Sequence, residues 1–457
     1  MIVMKFGGSS VESAAAIQRV ASIVKSRLER QPVVVVSAMG KTTNKLLALA
    51  TDAVEGRRGR ALEQLGELRD YHLSEARQLV SGEEWAALET SITDHIQELG
   101  ELITGLSVLG ELTPRFVDAI SSYGERLSSR IVTAAFRSSG MDAVHADSRR
   151  LIVTDNRHTQ ANPIYPETYA RLCDQVAPLA REGKVVVMGG FIAATANGVT
   201  TTLGRGGSDF TAAIVGAGIG AEEIQIWTDV DGMMTADPRS VPEARRLKLI
   251  SFAEAAELAY FGAKVLHPAT VLPAVEKNIP IVILNSRRPE VSGTRIVKDA
   301  VPCANPIKSI ACKRHITVVN IHSTRMLMAY GFLARIFEVF NRYETAVDML
   351  STSEVSVSAT IDNTKNLEKI QAELEQFSEV RVERDRAIIC LVGDNIRCTP
   401  GIAARIFGAL SPVNVLMVSQ GGSQWNLSLV VDDTDLLKAV QLLHREFFQE
   451  LDPAVFE

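Results

Sequence analysis

Cysteine is scarce in this chain: five residues among 457, namely Cys173, Cys303, Cys312, Cys390 and Cys398. The number is odd and no CxxC pair occurs, which reads as reduced cytosolic thiols and not as a disulfide framework or a zinc site. The eight histidines form no HExxH, and no metal site made of protein side chains is expected. The net charge is -6 with no block of five or six like charges, so the basic footprint of a nucleic-acid binder is missing. No apolar stretch approaches the roughly 20 residues of a membrane span. The N-terminus, Met1-Ile2-Val3-Met4-Lys5-Phe6-Gly7-Gly8, is too short in its apolar run for a signal peptide and reads as a first strand. These absences leave a soluble, cytoplasmic globular protein. Its 46% hydrophobic and 22% charged residues are ordinary for that class. With a mildly negative whole, any anionic substrate must be drawn in by local cations.

Short β-branched runs at Ile2–Phe6, Pro32–Ser37, Lys184–Ile192, Ile224–Val230 and Pro280–Asn285 read as strands buried on both faces. Helical stretches separate them, which predicts an α/β fold with an open, mainly parallel sheet. Between about Asn44 and Ser138, Ala61–Leu79 and Glu83–Leu106 carry apolar residues at helical spacing and read as core-facing helices.

From Ile307 the character changes, after a connector Val301–Pro306. GFLARIFEVF (Gly331–Phe340) with VDMLSTSEVSVSATID (Val347–Asp362) is echoed by GIAARIFGAL (Gly401–Leu410) with VNVLMVSQGGSQWNLSLVVDD (Val413–Asp433). Each copy is a helix and two strands, preceded by a strand and followed by a helix, a ferredoxin-like unit used twice. A ligand-sensing module and a plain dimerisation domain both fit that pattern. The expected domains are 1–300 (catalytic), 301–306 (linker) and 307–457. Within the last, one unit spans about 315–385; the other spans 386–457 and takes in strand 307–314.

Five stretches carry chemistry. Lys5-Phe6-Gly7-Gly8-Ser9-Ser10 follows the first strand. It is neither GxxxxGK[ST] nor GxGxxG, yet two glycines, a helix start and a lysine suit a phosphate. Ser37–Asn44 places hydroxyls at a strand's C-terminal edge, where a ligand crevice or a simple helix cap would lie. Thr200–Thr211 wedges Arg205 among three glycines before Ser208-Asp209, a setting for a carboxylate or phosphate. Trp227–Gly232, running on to Ala236-Asp237-Pro238-Arg239, is an acidic turn. Phe261–Pro268 carries Lys264 after a helical stretch.

Taken in order, KFGGSSV, VVSAMGKTTNKL, TTTLGRGGSDFTA, IWTDVDG…TADPR and FGAKVLHPATV resemble the aspartate kinases over essentially the whole chain. The two repeats resemble paired ACT domains. The resemblance implies transfer of the ATP γ-phosphoryl group, with Mg²⁺, to the side-chain carboxylate of L-aspartate. By position it implies Lys5, Asp209 and Lys264 as catalytic. Lys5, Gly7, Gly8, Ser9, Thr228, Asp229, Met234, Arg239, Lys264 and Val265 would hold ATP. Thr43, Glu125, Arg205 and Ser208 would hold aspartate, Glu125 taking its ammonium and Arg205 a carboxylate. Met234 departs from the tyrosine of related sequences. A lysine effector would meet Met326, Ala329, Phe332, Leu333, Ala346, Val347, Asp348, Ser353 and Glu354, with Ala329 and Ala346 replacing expected serines. Threonine is the rival effector; a homodimer or homotetramer through the ACT units is the expected assembly.

The chemistry suits these residues. A carboxylate nucleophile has a pKa of about 4 and needs no general base at neutral pH. The obstacle is repulsion between two anions, so alignment and cations must carry catalysis. Kinases of glutamate or acetylglutamate are the competing enzyme reading, and a catalytically dead amino-acid sensor is the competing class. Retention of Lys5, Arg205 and Asp209 speaks against the sensor.

Overall fold

The computed structural model describes residues 1–262, 266–299, 302–323 and 330–457. They form two compact units, Met1–Met233 with Val265–Asp299, and Met234–Lys264 with Ala300–Glu457. Residues 234–264 were expected within a continuous catalytic domain ending at 300; here they group with the C-terminal unit.

In the first unit the sheet order is Ala143–Ala146, Val185–Gly189, Pro32–Val36, Ile2–Phe6, Glu223–Thr228, Ile281–Asn285 and Thr294–Val297. All neighbours are parallel except the last pair. The valines of Pro32–Val36 are fully buried, which is why β-branched residues fill this strand. Phe6 stands level with Val36 and Trp227, Val36 with Gly189, and Thr228 with Asn285. The strands therefore finish together at one C-terminal edge. A second small sheet joins Val153–Thr154, Ile192–Thr195 and Thr200–Thr202.

The run Lys184–Ile192, expected as one strand, breaks at Gly190. A Cβ there would lie 2.6 Å from the Ser208 Cβ, and Phe191 next to it takes a left-handed φ of 65°. The long helical region resolves into helices Thr42–Val54, Arg58–Arg77, Gly82–Leu109, Pro114–Ser121 and Tyr123–Ser138. Their apolar faces share one core with Ile2, Met4, Phe6, Val34 and Val36. Thr113 caps and Pro114 opens the fourth of these helices, a favoured start for a helix.

In the second unit two long strands, Ser309–His322 and Glu379–Val392, pair antiparallel along their length. Sheet order is Leu350–Thr352, Ser356–Ile361, Ser309–His322, Glu379–Val392, Asn426–Asp432, Met417–Gln420. One ferredoxin-like unit uses Ile316–His322 as its first strand and Glu379–Arg386 as its last, with helices Phe332–Arg342 and Leu367–Leu374. The other starts at Ala387–Val392, uses helices Ile402–Ala409 and Leu436–Phe447, and is closed by Ser309–Lys313.

Helix Phe252–Tyr260 belongs to this unit and opens with a capping box between Ser251 and Glu254. Residues three apart on it make successive polar ties. Glu254 meets Lys308 at 2.8 Å with both side chains fully buried. Glu257 accepts from Ser423 Oγ and Asn426 Nδ2, each at 2.6 Å. Tyr260 donates to Asp348 at 3.1 Å.

Candidate active site

The loops that follow the six parallel strands leave the C-terminal edge of the first unit's sheet, the place where open α/β sheets bind ligands. Lys5 is the penultimate residue of its strand, and its Nζ stands 2.6 Å from Asp209 Oδ1, both side chains largely buried. Gly7 N–H donates to Trp227 O at 3.1 Å and Gly40 N–H to Gly8 O at 3.0 Å, so the loops are stitched backbone to backbone. A Cβ on Gly8 would come within 2.8 Å of Gly40 O. Ser9 lies in the short 3₁₀ turn Gly8–Ser10, whose Ser10 hydroxyl shares a 2.8 Å hydrogen bond with Ser286.

Glu125 lies on the first turn of helix Tyr123–Ser138. Its Oε1 accepts from Ala38 N–H at 3.1 Å; Oε2 is buried and has no hydrogen-bond partner among the described residues. Burial pushes this carboxyl up to about 8. A Cβ on neighbouring Gly124 would lie 3.4 Å from Thr43 Oγ1, so Thr43 borders the same turn. Ser208 fills the space opposite Gly190. A buried carboxyl held away from water, with one oxygen free, is suited to an ammonium.

Arg205 stands between Gly204 (φ 75°) and Gly206 (φ 70°). It is exposed, and among the described residues no hydrogen bond or ion pair engages its guanidinium. Ser208 and Asp209 follow in the first turn of helix Gly207–Ile219.

The nucleotide residues expected from sequence are divided. Thr228 and Asp229 lie at the strand edge, joined by a 3.2 Å hydrogen bond. Met234 and Arg239 fall in the second unit. There the Arg239 side chain is 89% exposed and paired with Asp237 at 2.6 Å. Lys264 and Val265 lie outside the described residues.

Of the expected effector residues, Met326 and Ala329 also lie outside the described residues. Phe332 opens helix Phe332–Arg342 and packs edge-on against Phe377. Val347 is half-buried, while Ala346, Ser353, Glu354 and Leu333 are exposed. Asp348 already has partners within the chain. Its Oδ1 meets Lys313 Nζ at 2.8 Å as well as the Tyr260 hydroxyl, and Lys313 also meets Asp362 at 2.8 Å. Asp348 Oδ2 is buried without a hydrogen-bond partner among the described residues. Burial raises the Asp348 carboxyl above its usual range, against the pull of Lys313.

The amino acid kinase family matches residues 1–285 and an ACT domain matches residues 389–447. The chain is 39% identical to the chloroplastic aspartokinase 2 of Arabidopsis thaliana, over 99% of this chain and 85% of that protein. It is 36% identical to the lysine-sensitive aspartokinase 3 of Escherichia coli K12, over 98% of this chain and 99% of that one. The chain belongs to the aspartokinase family. It is accordingly an enzyme, a kinase. Among solved structures it matches E. coli aspartokinase III in complex with lysine and aspartate, with a TM-score of 0.85, 36% identity and coverage of 98% and 100%. The same protein in complex with aspartate and ADP gives a TM-score of 0.84 at 35% identity. The fold expected from sequence, an α/β kinase sheet followed by ACT units, is the fold of this family.

Sequence reasoning missed Asp118, Lys313 and Tyr260. Asp118 sits alone in PRFVDAIS with no neighbouring motif. Lys313 and Tyr260 meet Asp348 across sequence separations of 35 and 88, which no local pattern announces.

Proposed function

We propose that this chain transfers the γ-phosphoryl group of ATP to the side-chain carboxylate of L-aspartate at the edge formed by Lys5, Glu125, Arg205 and Asp209. The observation that carries the reading is the pairing of a phosphate-type cradle with a fixed cation, Lys5 held by Asp209, beside a buried carboxyl with one open oxygen, Glu125. Glu125 would take the ammonium of aspartate and Arg205 a carboxylate, with Thr43 and Ser208 bordering it. Lys5, aimed by Asp209, would stabilise charge on the transferring group. Gly7, Gly8 and Ser9 would cradle phosphates, and Thr228, Asp229, Met234, Arg239, Lys264 and Val265 would hold the rest of the nucleotide. The donor set suits Mg²⁺ carried in on phosphate oxygens with few protein ligands; when bound, the ion neutralises charge on those oxygens.

The same reading makes the C-terminal units a lysine sensor within a cytosolic homodimer or homotetramer, with Asp348 and Glu354 facing the two ammonium groups. Effector lysine would have to displace the internal ammonium of Lys313 from Asp348. The test of the catalytic reading is Arg205→Ala, because a bidentate guanidinium–carboxylate pair is hard to replace. The KM for aspartate should rise far more than that for ATP. A rise in the KM for ATP alone would mean that the two subsites have been exchanged.

A further inference from the structure

We infer that Asp118 is a positioning residue for the amino-acid substrate: a fully buried carboxylate that seats the glycine-arginine loop from behind. The inference rests on Arg205 holding a substrate carboxylate. Arg205 is flanked by two glycines in left-handed backbone, so its own loop supplies little rigidity. What fixes the loop lies beneath it.

Asp118, on helix Pro114–Ser121, is 0% exposed. Its Oδ1 accepts from Thr202 Oγ1 at 2.5 Å, and Thr202 ends the strand that runs into the loop. Its Oδ2 accepts from His158 Nδ1 at 2.7 Å, and both oxygens accept from Thr159 N–H at 3.0 Å. Thr159 holds a left-handed φ of 71°, unusual for a β-branched residue and sustained only where the surroundings fix it. From that position Thr159 O would lie 3.1 Å from a Cβ on Gly204. Ala161 N–H closes the arrangement on Thr202 O at 2.9 Å. One carboxylate thus ties a helix, the 158–161 loop and the root of the Arg205 loop together.

A buried carboxylate is costly unless fully hydrogen-bonded, and this one spends its hydrogen bonds on the loop. A displacement of about 1 Å in a positioning group can cost on the order of 10²-fold in rate. A misplaced Arg205 backbone would be felt through aspartate and not through ATP.

The test is steady-state kinetics with thermal melts on Arg205→Ala, Asp118→Ala, Asp118→Asn and Thr202→Val. Asp118→Ala should raise the KM for aspartate about tenfold or more and keep that for ATP within about twofold. Asp118→Asn retains an acceptor for Thr159 and Thr202 and should recover most of the loss. Thr202→Val, which removes one hydroxyl at constant shape, should shift the same constant in the same direction by a few-fold. Combined with Arg205→Ala, Asp118→Ala should add little, since both act through one guanidinium. Losses in stability or kcat with an unchanged KM for aspartate would overturn the inference. If Asp118→Ala does not fold, Thr202→Val decides alone, and an unchanged KM for aspartate overturns it. If Arg205→Ala leaves that KM unchanged, the assignment of Arg205 fails and the inference with it. If Arg205→Ala raises it and the Asp118 and Thr202 variants do not, only the inference fails.

Discussion

Apart from the matched pair Lys5–Asp209, the two units differ in how far their charged groups find partners within the chain. At the sheet edge of the first, Arg205 has no ion-pair partner among the described residues, and Glu125 keeps a buried oxygen free. In the second, the groups of interest are already matched: Lys308 with Glu254, and Lys313 with Asp348 and Asp362. Glu257 is matched too, with Ser423 and Asn426. The proposed catalytic site is legible as polar groups left for a ligand. A regulatory site can hide behind partners that the chain supplies itself, and its effector then competes with an internal group. Binding that favours one of two internal arrangements shifts a population, and only differential affinity can do so.

The largest expected effect breaks the catalytic side. Lys5→Ala should lower kcat about 10²–10³-fold, the scale seen when one charge-stabilising donor is removed, with an unchanged circular dichroism spectrum. Activity within a few-fold of the parent enzyme would remove Lys5 from the site.

Next in size is the regulatory side. Asp348→Ala should leave uninhibited rates normal and raise the lysine concentration needed for half-inhibition roughly 5–150-fold, the usual range of allosteric coupling. Rates that stay flat up to tens of millimolar lysine but fall with threonine would replace the proposed effector.

The third prediction uses pH. Burial holds the Glu125 carboxyl up to about 8, so near neutrality it carries a proton that an ammonium ligand must expel. The KM for aspartate should fall by up to about tenfold per pH unit as pH rises towards 8, then level off. The stability sign is the reverse. A pKa raised on folding contributes stability present below the unfolded carboxyl range and lost as pH rises through about 8. Glu125→Gln should therefore melt higher than the parent enzyme at pH 8–9 while losing aspartate binding. A KM for aspartate that stays flat as pH rises from the acid side of neutrality to about 8 would contradict the role given to Glu125.

The smallest effect probes the internal competitor. Lys313→Met should lower the half-inhibitory lysine concentration about two- to fivefold, the worth of a partly exposed ion pair. An unchanged value would mean that Lys313 does not compete at Asp348.

How much of this was readable beforehand depended on distance along the chain. Lys5-Phe6-Gly7-Gly8 and Gly204-Arg205-Gly206-Gly207 declare themselves locally, because glycine where backbone must pack closely, next to a fixed cation, leaves a sequence mark. The parallel sheet was equally plain from its β-branched runs, and the paired ferredoxin-like units from their repeated helix and strands. The break at Gly190 was not, since the run Lys184–Ile192 reads as one strand and the close approach of Ser208 that leaves no room for a Cβ at Gly190 comes from a distant segment. Asp118 makes its contacts 40 and 84 residues away, and an isolated aspartate on a helix normally faces water. Residues 234–264 group with the C-terminal unit, where Glu254, Glu257 and Tyr260 meet partners far downstream that no local pattern announces.

The central claim is the reaction itself, and trapping the product tests it most directly. The acyl phosphate of aspartate reacts with hydroxylamine to give a hydroxamate. The purified chain with ATP and Mg²⁺ should form it from L-aspartate and not from L-glutamate or N-acetylglutamate, and Arg205→Ala should abolish it at moderate aspartate concentration. Hydroxamate from glutamate or acetylglutamate with none from aspartate, or none from any acceptor in a folded protein, would contradict the account.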